Sequence, residues 1–160
     1  MTTPKTLTTE PTETAVILAD LLDRSGLDVL AHLERQVAVP VLDGLQAQGD
    51  LIVIPHALVA RTVELNRWGR WEPVPPGGVE LVRGVDGRNP HTLVTEPDTC
   101  RWISVRDPLH LGIAVFENTA PAYLIHPEHG GSGVAPGRWL VRRQQERGVT
   151  LARNTMLIAD

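Results

Sequence analysis

Two histidines and a carboxylate crowd together at one place in this chain, His126-Pro127-Glu128-His129. Neutral imidazoles and carboxylates are good ligands for zinc, iron or copper. On a straight strand, residues three apart point to opposite faces, so the two rings can converge only at a turn. Pro127 and the glycines after His129 supply one. Two ligands do not make a tight site, and His91, opening a strand after a turn, is the natural third donor. The predicted set for one transition-metal ion, zinc or iron, is His91, His126, His129 and one of Glu128 or Glu96. Two other readings compete with it. Either the histidines tie the turn together through backbone hydrogen bonds, or His and Glu128 act as acid and base.

Other residues invite chemistry less strongly. Ser132 lies in Gly130-Gly131-Ser132-Gly133, but a hydrolase nucleophile sits on a strand-to-helix elbow within Gly-x-Ser-x-Gly. Here the fifth residue is Val134 and a strand follows, so a flexible turn is expected. Cys100 precedes Arg101, which would favour its thiolate, against the plainer reading of a half-buried structural cysteine. Arg138, Arg142, Arg143 and Arg147, with Trp139, could grip phosphates or a single strand. Alternation places Arg138 and Arg142 opposite Trp139 and Val141, which a solvated outer face also explains. Trp68 and Trp71 mark either a partner surface or packing at the mouth of a barrel.

Composition narrows the classes. Lys5 is the only lysine beside fourteen arginines, which disfavours Schiff-base enzymes and phosphate-loop NTPases, both needing a lysine inside the fold. The formal charge of −4 argues against a dedicated nucleic-acid binder. No apolar run is long enough to span a membrane. A lone cysteine and a polar start without the order of a signal peptide predict a cytoplasmic protein.

The elements that must hold these residues fall into three stretches. Residues 1–13 are Thr-rich and read as a disordered tail. Residues 14–48 read as two or three short helices. The first carries Leu18, Leu21 and Leu22 and stops at Gly26. A second is capped by Asp28 and carries Leu30, Leu33 and Val37, and Pro40 kinks it or starts a third. From Gly49 to residue 160, short apolar segments (beginning with 51–54, then 60–65, 78–83, 91–95, 101–105, 109–117, 121–126, 138–145 and 155–159) alternate with Gly, Pro, Asn and Asp. That pattern predicts an α+β, mostly β fold: an antiparallel barrel or sandwich, cupin- or jelly-roll-like, behind a helical preface. The His91-to-Glu96 spacing is one that some cupin-type metal sites use.

Taken together, Gln48-Gly49-Asp50 with the strand Leu51 to Pro55, the turn His126 to Gly130, the strand Pro136 to Glu146 and the ending Ile158-Ala159-Asp160 resemble a family of small uncharacterised bacterial and phage proteins. That family's pattern carries Gln-Gly-Asp before an aliphatic strand, a Gly-Glu-x-Thr-Gly-His-x-His segment, a His-x-Glu-His-Gly turn and a Pro-Gly-aromatic strand closing in Gln-x-Glu. The likeness covers residues 48 to 160 in order. One departure matters: Arg88 stands where a histidine would, leaving His91 alone, so a metal held through paired histidines would be held weakly here or lost.

The leading functional expectation is a non-enzymatic accessory or binding module. Its helical preface would dock onto the barrel, a second copy or a protein partner. The alternatives are a cupin-like metalloprotein at the 126–129 turn and, more weakly, a nucleic-acid-binding barrel using Arg138, Arg142 and Arg143.

Overall fold

The first apolar stripe of the sequence does form a helix. In a computed structural model, α1 spans Leu18–Ser25 and buries Leu18, Leu21 and Leu22 on one face, the spacing that one side of a 3.6-residue period requires. Gly26 ends it in the left-handed conformation (φ 72°), donating its N–H to the Leu22 carbonyl. The structure describes residues 15–83, 89–147 and 155–157. The predicted tail, Arg88 and Ile158-Ala159-Asp160 lie outside them.

The expected second and third helices are absent from the described preface, and hydrogen bonding explains why. The Arg35 and Val37 carbonyls accept the N–H groups of Ala19 and Leu18, satisfying donors that a helix start leaves without intrahelical partners. Val39 donates to Val16, and Leu30 donates to Pro127 across the molecule. Asp28 accepts from its neighbour Val29 instead of capping a helix. Residues 27–39 therefore cap and flank α1 in irregular form. Pro40 starts no helix either: its carbonyl accepts from Gly133 as the chain enters a strand.

That strand, β1 (Val41–Leu42), is followed by β2 (Gln46–Gln48), β3 (Leu51–Pro55), a 3-10 turn (His56–Leu58), β4 (Glu64–Leu65), β5 (Glu72–Pro73) and β6 (Val79–Arg83). Then come β7 (Pro90–Thr95), β8 (Cys100–Arg106), β9 (Gly112–Asn118), β10 (Ala122–His126), β11 (Gly130–Val134), β12 (Gly137–Arg143), β13 (Gln145–Arg147) and β14 (Thr155–Leu157). The sheets thus take in residues upstream of Gly49. The first sheet runs β1-β11-β10-β7-β6, the second β2-β3-β12-β9-β8-β4 with β5 also on β8, and β13 pairs with β14. The β1–β11 pair is parallel; the other pairs between described strands are antiparallel. The fold is mostly β, with two open sheets in place of a closed barrel.

Alternation sorts the strands into layers. Leu51, Val53, Leu93, Phe116, Leu124, Val134, Trp139 and Val141 form one buried cluster drawn from both sheets. The opposite face of the first sheet, with Val94, Tyr123 and Ile125, is covered by α1 and by Val29 and Val39. All five residues of β10 are therefore buried, like a strand covered on both faces. On the outer face of the second sheet, Leu140 packs with Val63, Ile103 and Val115 under the 59–71 segment.

The glycine run, expected as a flexible turn, is strand β11. An added Cβ at Gly133 would lie 2.7 Å from the Pro40 carbonyl oxygen, and one at Gly131 would lie 3.2 Å from Leu18. The missing side chains let α1 and β1 approach, as glycine permits.

Candidate functional site

Register explains how the histidines meet. In the β10–β7 pair, Leu124 faces Leu93 and Ile125 faces Thr92, so one step further His126 lies opposite His91. Both follow the alternation of Leu124 and Leu93, whose side chains enter the space between the sheets. His91 and His126 are buried, with ring centroids 4.3 Å apart and a 38° interplanar angle. After His126, a three-residue loop closes at Gly130 (φ 74°), as hairpins with a left-handed last residue do. The exposed His129 ring stacks on His126, 4.4 Å away at 24°. The three predicted imidazoles form a stack from core to surface.

The second sheet supplies what the sequence reading missed. Gln48 ends β2, Asp50 precedes β3, and both are buried beside His91. The Gln48 amide Nε2 donates to the Leu124 carbonyl at 3.0 Å, the Gly130 carbonyl at 3.4 Å and Ser132 Oγ at 3.3 Å. Its Oε1 lies 3.1 Å from His91 Nδ1. An amide oxygen only accepts, so His91 Nδ1 carries a proton. On the ring's other side, His91 Nε2 is 2.8 Å from Asp50 Oδ1, a contact closed by one proton shared within the pair. Both ring nitrogens of His91 are thereby engaged, and the contacts tie one sheet to the other.

His126 is fixed differently. Its Nδ1 accepts the backbone N–H groups of Glu128 at 3.1 Å and His129 at 3.3 Å, which places the proton of the neutral ring on Nε2. This is the turn-tying role weighed against metal binding. Coordination needs lone pairs in the ring planes converging on a point about 2.0–2.1 Å from each nitrogen, whereas the His91 and His126 rings meet tilted and the His126 and His129 rings are stacked. Among the described residues, no group of three or more His, Cys, Asp or Glu is placed to hold a metal ion.

The two acids proposed as further ligands turn elsewhere. Glu128 accepts from Asn89 Nδ2 at 2.8 Å, and Glu96 pairs with Arg24 of α1. Ser132 serves Gln48 as an acceptor. Cys100 is buried, and burial, followed by the Glu117 charge, pushes its thiol up to about 12, leaving a poor nucleophile.

The arginines are divided. Arg138 and Arg101 both bind the Glu117 carboxylate and lie over the Trp71 ring. Burial pushes Glu117 up, yet the hydrogen bonds and charges of these arginines outweigh it and hold the carboxyl below its usual range. Arg142 and Arg143 are half-buried, and the Arg147 side chain lies outside what is described. Trp71 packs on the outer layer, while Trp68 is 90% exposed.

A family model described as a domain of unknown function, DUF8820, matches residues 47–144, more than half of the chain. The chain belongs to this family. No curated protein and no solved structure matches it. The DUF8820 match takes in Gln48, Asp50, His91, His126 and His129, every member of the polar bridge, and leaves α1 and β1 outside. No helix among the described residues is long and apolar enough to cross a membrane.

Proposed function

We propose that this DUF8820 protein is a non-enzymatic binding module that associates with a second copy through its N-terminal segment. Leu30, Val37, Val41, Leu42 and Leu45 are 40–67% exposed, and β1 is the outermost strand of the first sheet. This exposed aliphatic run at an open strand edge is the observation that carries the reading, because such edges template pairing with another chain. The α1 stripe itself is covered by its own sheet, so the contact belongs to the residues after the helix. His91 and His126 are buried and the Cys100 thiol is raised, so none of these three groups is poised at the surface as a base or nucleophile.

Light scattering over a concentration series tests this. The wild-type chain should form a dimer, and Leu42→Asp with Leu45→Asp should weaken association about tenfold or more with an unchanged melting temperature. A wild-type chain that stays monomeric at every concentration contradicts the proposal.

The alternative, a cupin-like protein binding zinc or iron, is favoured by one observation: the three imidazoles are in contact. It requires His91 to release Gln48 or Asp50 and the stacked rings to turn edge-on. The hydrogen-bonded bridge requires neither.

A further inference from the structure

An open groove of about 850 Å³ lies beside β4 and the turn after β8, with none of His91, His126 and His129 in its wall, and is lined by Arg61, Thr62, Glu64, Arg67, Arg106 and His110 among others. Arg61, Arg67 and Arg106 are all exposed. The Arg67–Glu64 pair, 3.8 Å apart and largely exposed, neutralises little.

The other acid on the wall, Asp107, turns its carboxylate into its own loop. It accepts the N–H groups of Leu109 at 3.0 Å, Leu111 at 3.1 Å and Gly112 at 2.7 Å. Its burial is outweighed by these bonds and by the nearby Arg142 charge, so the carboxyl sits below its usual range. Three cations therefore face one carboxylate that is not already taken up by backbone donors. The same loop holds His110 at φ 55°, an unusual conformation for a residue with a side chain. The buried Nε of Arg142 has no hydrogen-bond partner among the described residues.

An exposed aromatic residue, Trp68, directly follows Arg67 in the chain. Gly69 donates to the Asn66 carbonyl at 3.0 Å, Trp68 donates to Asn66 Oδ1 at 3.1 Å, and Asn66 is tied to β8 through Ser104 by backbone and side chain, both at 3.0 Å. This pinned turn presents Trp68 beside Arg67, with Arg70 also exposed. Such a ring needs no rearrangement to stack on a flat partner.

We propose that this groove binds single-stranded nucleic acid, with phosphates on Arg61, Arg67 and Arg106 and a base stacked on Trp68. Arginines that track a backbone beside an aromatic stacking surface are what such a ligand needs. An acidic peptide would match the cations and leave the ring unused. Arg138 is not among these cations, and its charge is held by Glu117.

Anisotropy of a labelled oligothymidylate, with tryptophan emission followed in parallel at low salt, tests this on the full chain. Saturable binding with quenching is expected. Replacing Arg61, Arg67 and Arg106 together with alanine should weaken it roughly tenfold or more and reduce the logarithmic salt slope by about 0.7 per lost phosphate contact. Trp68→Leu should weaken binding and remove the quench. These side chains are exposed, and an unchanged circular dichroism spectrum establishes that the variants fold. No binding at low salt, unchanged affinity in the triple variant, or equally effective displacement by polyglutamate would each overturn the proposal.

Discussion

Asp50→Ala should destabilise the folded chain by about 3–5 kcal/mol, the order of the cost when a buried acid–base pair loses one member. Asp50 is 4% exposed and His91 1%, so water cannot readily replace the lost oxygen. The variant leaves the shared proton of His91 without its acceptor in the layer that joins the two sheets. Asp50→Asn keeps the shape and one hydrogen-bonding atom, and should cost less, about 1–3 kcal/mol. Since domains of this size are stable by only about 5–15 kcal/mol, the alanine variant should lie near the threshold of folding. Urea denaturation of the three proteins measures the difference. Equal midpoints would mean that the bridge does not hold the sheets together.

Phe116→Ala should cost a similar amount, about 3–5 kcal/mol, for a different reason. Phe116 is fully buried on β9, flanked in register by Trp102 and Trp139 on the neighbouring strands. Its ring fills the space facing Leu93 and Leu124 of the other sheet. Truncation removes apolar burial and leaves a cavity that the strand backbone cannot close. Phe116→Leu should recover much of the loss. If Phe116→Ala melts like wild type in calorimetry, Phe116 does not sit between two packed sheets.

The sequence makes the mostly β character and the meeting of His126 with His129 legible because each rests on local patterns. Alternation and turn residues mark β10 directly, and Pro127 with the glycines forces the bend that brings His129 back over His126. The preface is less legible for the opposite reason. Leu30, Leu33 and Val37 have helical spacing, but the carbonyls of Arg35 and Val37 are drawn to the N-terminus of α1, a contact that no local pattern encodes. The glycines of β11 mislead in a similar way: their small size answers the approach of Pro40 and Leu18, and that crowding is tertiary. Gln48 and Asp50 stood in view as Gln-Gly-Asp before a strand. Their partner, His91, is over 40 residues away, and only the pairing of the sheets reveals it.

The hydrogen-bonded bridge can be read most directly from the nitrogen-15 shifts of the histidine rings in the folded protein. A protonated Nδ1 on His91 is expected, together with an unprotonated Nδ1 and a protonated Nε2 on His126, unchanged when zinc is added. An unprotonated Nδ1 on His91, or zinc-induced shifts at His91 and His126 together, would contradict it.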